Sequence, residues 1–228
     1  MINIRGRIEA QLTDLWHKHA GPFTERSFAA PAIYNPGCVL FISLNPGDGG
    51  DRDEKYGQTT PIWYSTFDAE CFKSQQKFLE EQEINARYSH LDMLYIRDRK
   101  QENVQAMMKT GGQEAAAFLC AQIEMTADLL RRITSSPTVK PKAIVVANRI
   151  AEELLGRHAK REKDEWLWLN FTFTEMPSHE GEASRFKCSD WGDVPVFFSP
   201  PFYGKGGRHN TEEKRKALGA ALRRVCNT

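Results

Sequence analysis

Val39-Leu40-Phe41-Ile42-Ser43-Leu44-Asn45-Pro46-Gly47 is a short apolar, β-favouring run that drives into a turn. Pro46 has no N–H for a strand ladder and fixes its own φ, and Gly47 tolerates positive φ, so a strand must stop here. Asn45 is left at the strand's carboxyl end with its side-chain amide presented. In open parallel α/β sheets, that end of a strand is where ligands bind. The run therefore predicts an α/β fold with Asn45 at the mouth of a site.

Working outward, residues 3–19 carry Ile4, Ile8, Leu12 and Leu15 at spacings of three and four, a helix that Gly21-Pro22 closes. A helix over 68–83 places Cys71, Phe72, Gln75, Phe78 and Leu79 along one side. A second strand reads over 91–96, and the charged run Arg97-Asp98-Arg99-Lys100 comes directly after it. The longest helical pattern covers 113–133, with Phe118, Ala121, Met125, Leu129 and Ile133 in one stripe. Ala143-Ile144-Val145-Val146-Ala147 is continuously apolar, as a strand buried on both faces of a parallel sheet must be. Asn148 then leads into a short helix, residues 166–173 are β-rich, and Pro195-Val196-Phe197-Phe198 forms a last strand stopped by Ser199-Pro200-Pro201. The terminal helix spans 211–226, with Asn210 as N-cap and Glu213 three residues on. Four apolar strands alternating with helices predict a single domain over 1–228: three-layer α/β/α around a central, mainly parallel four-stranded sheet.

Bulk properties remove several function classes. The 228 residues are 40% hydrophobic and carry a net charge of +1, so no global field draws the chain to a polyanion. No stretch approaches the length of a membrane span and the first residues lack an apolar signal core, so a cytoplasmic protein is expected, with no membrane partner. Cys38, Cys71, Cys120, Cys188 and Cys226 are scattered without a C-x-x-C pair and read as reduced thiols. Asp48, Asp51 and Asp53 fit neither an EF-hand nor a two-metal spacing, and no metal or cofactor is expected. There is no Gly-x-Ser-x-Gly elbow, no P-loop and no Gly-x-Gly-x-x-Gly after a strand.

Three strand ends remain: Asn45-Pro46-Gly47, Asn148 and Ser199-Pro200. If the strands are parallel, these turns converge on one edge. Their order resembles the uracil-DNA glycosylase superfamily, closest to its single-strand-selective and mismatch-specific branches. The first motif there reads Gly-x-Asn-Pro-Gly, against Ser43-Leu44-Asn45-Pro46-Gly47 here. The second reads His-Pro-Ser-Pro, against Phe197-Phe198-Ser199-Pro200, so the Ser-Pro is kept and Phe197 occupies the His position. A strand leading into Gly-x-x-Ala is matched by 143–151, with Asn148 in the Gly position.

The resemblance implies base-excision DNA repair: a hydrolase that flips a uracil-like or damaged base out of DNA and cleaves its N-glycosidic bond. It would make Asn45 the residue that positions the attacking water. The backbone around Leu44, Pro46 and Gly47 would face the base, Tyr56 or Trp63 would stack on it, and Asn148 or Asp92 would read its edge beside Ser199. His209 stands as the candidate to replace the missing motif-two His. Pro200, Phe202, Tyr203, Lys205 and Arg208 would meet DNA, the aromatic or arginine as a wedge. The basic residues of 203–224 supply local positive charge for phosphates. Read without the family, Asn-Pro-Gly is an ordinary turn and the basic helix a solvated face. The alternative function is a catalytically inactive nucleic-acid or nucleotide binding domain of the same fold.

Overall fold

The apolar run that opens the fold is buried at every position from Val39 to Leu44 and forms the centre of the sheet. The computed structural model describes residues 1–46, 59–65, 70–98, 100–158, 168–202 and 209–227. In chain order the elements are β1 (Ile2–Asn3), α1 (Arg5–His19), β2 (Ala29–Pro31), β3 (Ile33–Tyr34), β4 (Val39–Ser43) and β5 (Ile62–Tyr64). Then come α2 (Glu70–Glu81), β6 (Tyr88–Asp92), α3 (Gln101–Thr110), α4 (Gly112–Ser135), β7 (Ala143–Val146), α5 (Arg149–Leu155) and β8 (Gly156–His158). The chain ends with β9 (Phe171–Met176), β10 (Arg185–Cys188), a 3-10 turn over Ser189–Trp191, β11 (Pro195–Phe198) and α6 (Glu212–Cys226).

This is a mixed α/β protein whose central sheet is mostly parallel. Seven strands lie in the order β6-β4-β7-β11-β10-β9-β8. The four apolar strands of the sequence are its parallel half, β6-β4-β7-β11. A four-stranded sheet is therefore too small. β10 pairs antiparallel with both β11 and β9, and β8 adds to β9. The second strand also starts earlier than its apolar residues suggest, because Val39↔Tyr88 to Ser43↔Asp92 sets the register. The pairing then runs on past β6 as Met93 N–H donates to the Ser43 carbonyl and Leu94 N–H to that of Leu44 (2.9 and 2.8 Å).

Side-chain alternation divides the interior into two cores. Leu40, Ile42, Ile144 and Val146 point to α1, α4 and α5, where Leu12, Phe118, Leu130 and Leu154 meet them. Val39, Phe41, Ala143, Val145 and Phe197 point the other way, to Phe78 of α2 and Leu218 and Leu222 of α6. The outer edge of β6 is covered by the segment around β2 and β3. Ala29 N–H donates to the Tyr95 carbonyl, and Asn35 holds both the Ser89 hydroxyl and the Tyr88 carbonyl. That cover shields the strand edge beside the site.

Candidate active site

Strand order locates the crevice. From β4 the chain moves out to β6, then crosses back over β4 to β7, so the winding reverses between β4 and β7. Ligands in open α/β sheets bind at the carboxyl ends beside such a reversal. The ladder persists to Ala147, whose N–H donates to the Ile42 carbonyl at 2.8 Å, and β11 joins the same edge through Ser199 N–H to Val146 O at 2.9 Å. Asn45 and Asn148 stand on the two sides of the reversal.

The two asparagines use their side chains differently. Asn148 caps α5: its Oδ1 accepts from the N–H groups of Ile150 and Ala151 (2.9 and 3.2 Å), and its Nδ2 donates to Gln101 Oε1 at 3.4 Å. That commitment makes it a structural cap, not a free base reader. Asn45 is half-buried, and its Nδ2 donates to the carbonyls of Pro46 and Ile96, both at 3.4 Å. Its Oδ1 accepts no hydrogen bond among the described residues and stays open to an incoming donor.

Asp92, expected to read a base edge, lies inside the protein at 2% exposure. Its Oδ2 accepts from the Tyr64 hydroxyl at 2.8 Å, and its Oδ1 lies 3.2 Å from His90 Nε2. His90 Nδ1 is in turn 3.0 Å from Gln75 Nε2, so one chain of polar groups ties β5 and α2 to the end of β6. His90 Nδ1 also lies 3.3 Å from Gln75 Oε1, so the Gln75 amide faces the ring with both of its polar atoms. In the sequence His90 has no ligand spacing to single it out. Its alternation with Asp92 on one strand face is the signal that the two act together.

Other expected residues take these places. Leu44 is core, with its carbonyl held by Leu94, and Pro46 is buried beside Asn45. Trp63 packs edge-on to Phe28 (5.4 Å) with the Arg5 guanidinium 5.3 Å over its ring, which commits it to the α1 side instead of a stacking platform. The Ser199 hydroxyl donates to the Pro200 carbonyl at 2.9 Å, and Asn210 Nδ2 donates to the same oxygen at 3.3 Å, closing that turn. Phe202 is not a wedge: it packs between Phe41 (5.4 Å) and Phe78 (4.8 Å) at the rim of the α2/α6 core. His209 is exposed, and among the described residues its carbonyl accepts from Lys214 Nζ at 3.2 Å while its ring makes no hydrogen bond. Phe197 is 0% exposed in the α2/α6 core and offers no donor. Gly47, Tyr56, Tyr203, Lys205 and Arg208 lie outside the described residues, as does the acidic loop from Asp48.

Positive charge on α6 is largely tied down. Arg215 pairs with Glu81 at 2.7 Å, Lys216 with Glu212 at 2.6 Å and Arg224 with Glu182 at 2.8 Å, while Arg223 donates to the Gln82 carbonyl at 2.7 Å. The Lys216 hydrogen bond holds the Glu212 carboxyl below its usual range. A second unanticipated residue is Arg97, 2% exposed, whose Nη1 donates to the Thr60 carbonyl at 3.2 Å. It opens the charged run after the second strand, and only its burial distinguishes it from a surface cation. No family model matches the chain, and neither a curated protein nor a solved structure matches it.

Proposed function

We propose that the chain is a uracil-DNA-glycosylase-like domain, a three-layer α/β/α sandwich that receives a base from DNA at the β4/β7 crevice and hydrolyses its N-glycosidic bond. One observation carries the reading: Asn45, at the winding reversal, keeps its Oδ1 without a partner among the described residues while its Nδ2 is anchored to Pro46 and Ile96. An amide held in this way orients a water by accepting one of its protons, leaving an oxygen lone pair for the anomeric carbon. Cleavage places positive charge on the sugar and negative charge on the base, so fixed dipoles around the crevice lower the barrier. The target base is flipped from the stack to reach this depth. DNA is the partner and the cytoplasm the setting on this reading.

A second reading keeps the fold and drops the chemistry. The buried Phe197 leaves the motif-two position without a donor for the base anion, which favours a catalytically inactive nucleic-acid or nucleotide binding module. The test incubates the protein with single- and double-stranded oligonucleotides carrying uracil, hypoxanthine or hydroxymethyluracil and measures abasic-site cleavage. Release by the wild type that falls by about 100-fold in Asn45→Ala supports the glycosylase reading. Release that survives the substitution overturns it, and salt-sensitive binding without release establishes the binding module.

A further inference from the structure

The opposite edge of the sheet carries a cavity of its own. β4 and β6 begin together at Val39↔Tyr88, about 20 Å along β4 from Asn45 at the rise of a strand. A cavity of about 430 Å³ lies at this amino edge, between the last turns of α2, the turn that leads into β6, and β3. Its apolar wall is formed by Ile33, Leu79, Ile84 and Ala86, and Leu79 and Ile84 belong to the α2/α6 core. Small-molecule sites have such apolar walls and volumes of about 300–1,000 Å³, with a few polar groups that fix orientation.

Polar groups with bonding capacity to spare line the same cavity. Arg87 and Glu80 carry opposite charges, yet they pair neither with each other nor with another charged group among the described residues; Glu80 accepts from Gln76 Nε2 at 2.8 Å. Asn35 is 8% exposed. Its Nδ2 donates to the Tyr88 carbonyl at 3.0 Å, and its Oδ1 accepts no hydrogen bond among the described residues. An anion alone would meet Arg87 but also face Glu80, and a cation alone would meet the reverse. A ligand that carries both charges suits both walls. We propose that this cavity binds a free α-amino acid with an apolar side chain, its carboxylate on Arg87, its ammonium on Glu80 and Asn35 Oδ1, and its side chain against Leu79 and Ile84. The planar guanidinium fork matches a carboxylate, and an ammonium has three donors, enough for both acceptors. Binding is non-covalent and lies apart from the Asn45 crevice, so the inference does not rest on the glycosylase reading.

Calorimetric titration of the full-length protein separates the parts of such a ligand. L-Leucine is compared with 4-methylpentanoate, which lacks its ammonium, with 3-methylbutylamine, which lacks its carboxylate, and with glycine, which lacks its side chain. L-Leucine is expected to bind at least about ten-fold more tightly than each of the three. Arg87 and Glu80 are exposed, so substitutions there leave the core in place. Arg87→Gln should weaken L-leucine by about ten-fold or more, the value of a charged hydrogen bond. Glu80→Gln should weaken L-leucine in the same sense without weakening 4-methylpentanoate. The carboxylate or the amine binding as tightly as L-leucine overturns the inference, as does an L-leucine affinity that neither substitution changes. Absence of binding by L-leucine, L-methionine and L-phenylalanine at millimolar concentration overturns it as well. None of these outcomes bears on abasic-site cleavage, which is measured separately.

Discussion

Asn45 and Asn148 bring the same side chain to the same edge, yet among the described residues the Asn148 oxygen is claimed and the Asn45 oxygen is not. The difference lies in the residues immediately C-terminal to each. After Asn148 the chain turns at once into α5, and the N–H groups of Ile150 and Ala151 claim the Oδ1; Pro46, after Asn45, takes the chain out of the strand instead. Both read as strand-end amides in the sequence, so their separation into cap and site residue is legible there only in part. Burial likewise turns Asp92 from a base reader into the hub of the Tyr64–Asp92–His90–Gln75 chain. That hub supports a residue-scale prediction. Tyr64→Phe keeps the ring against Phe72 but removes the donor from Asp92 Oδ2 in a site with no access to bulk water. The loss should destabilise the fold by ~1–3 kcal/mol, seen as a lower urea midpoint at an unchanged m value. An unshifted midpoint would mean that the hydroxyl contributes nothing to holding the carboxylate.

At the scale of elements, the sequence announces strands buried on both faces well, because β4, β7 and β11 have apolar side chains on each side. Elements with one weakly apolar face stay hidden. α3 buries only Val104 and so has no stripe to find, and β10 is a four-residue Arg-Phe-Lys-Cys alternation between turns. The α6 cap falls one residue later than the sequence pattern places it: Thr211 accepts from Lys214 N–H, while Asn210 uses its amide to hold Pro200. The charge of α6 is legible, but its partners are not, since Glu81 and Glu182 come from distant parts of the chain. Those pairs make the helix a poor phosphate binder. Lys216→Glu should leave oligonucleotide affinity within about two-fold and the salt slope unaltered, measured by titration across ionic strengths. A slope reduced by about one unit would instead count Lys216 among the phosphate contacts.

For the molecule as a whole, the two cores that clamp the sheet also set how the protein responds to alkali. Cys38, Cys188 and Cys226 lie in these cores at 0%, 0% and 1% exposure, far apart in sequence, as unpaired thiols. Burial pushes each of them from the ordinary 9.0 up to about 11, and at Cys38 the hydrogen bonds with Ser89 and Tyr34 only partly offset it. Burial raises the hydroxyls of Tyr34 and Tyr95 in the same sense. In the unfolded chain the thiols lose their protons near 9.0, while in the folded chain they keep them to about 11. Between those values the unfolded state binds fewer protons, so each rise in pH favours unfolding. The stability tied to these groups is complete below pH 9 and drains away toward pH 11, at up to ~2–3 kcal/mol per thiol. Under reducing conditions Tm should therefore hold level to about pH 9 and then fall. Cys38→Ala should start lower, because it leaves a small cavity, yet fall less steeply, because it has one proton fewer to lose. A variant curve as steep as that of the wild type would remove Cys38 from the alkaline loss and leave it to Cys188, Cys226 and the tyrosines.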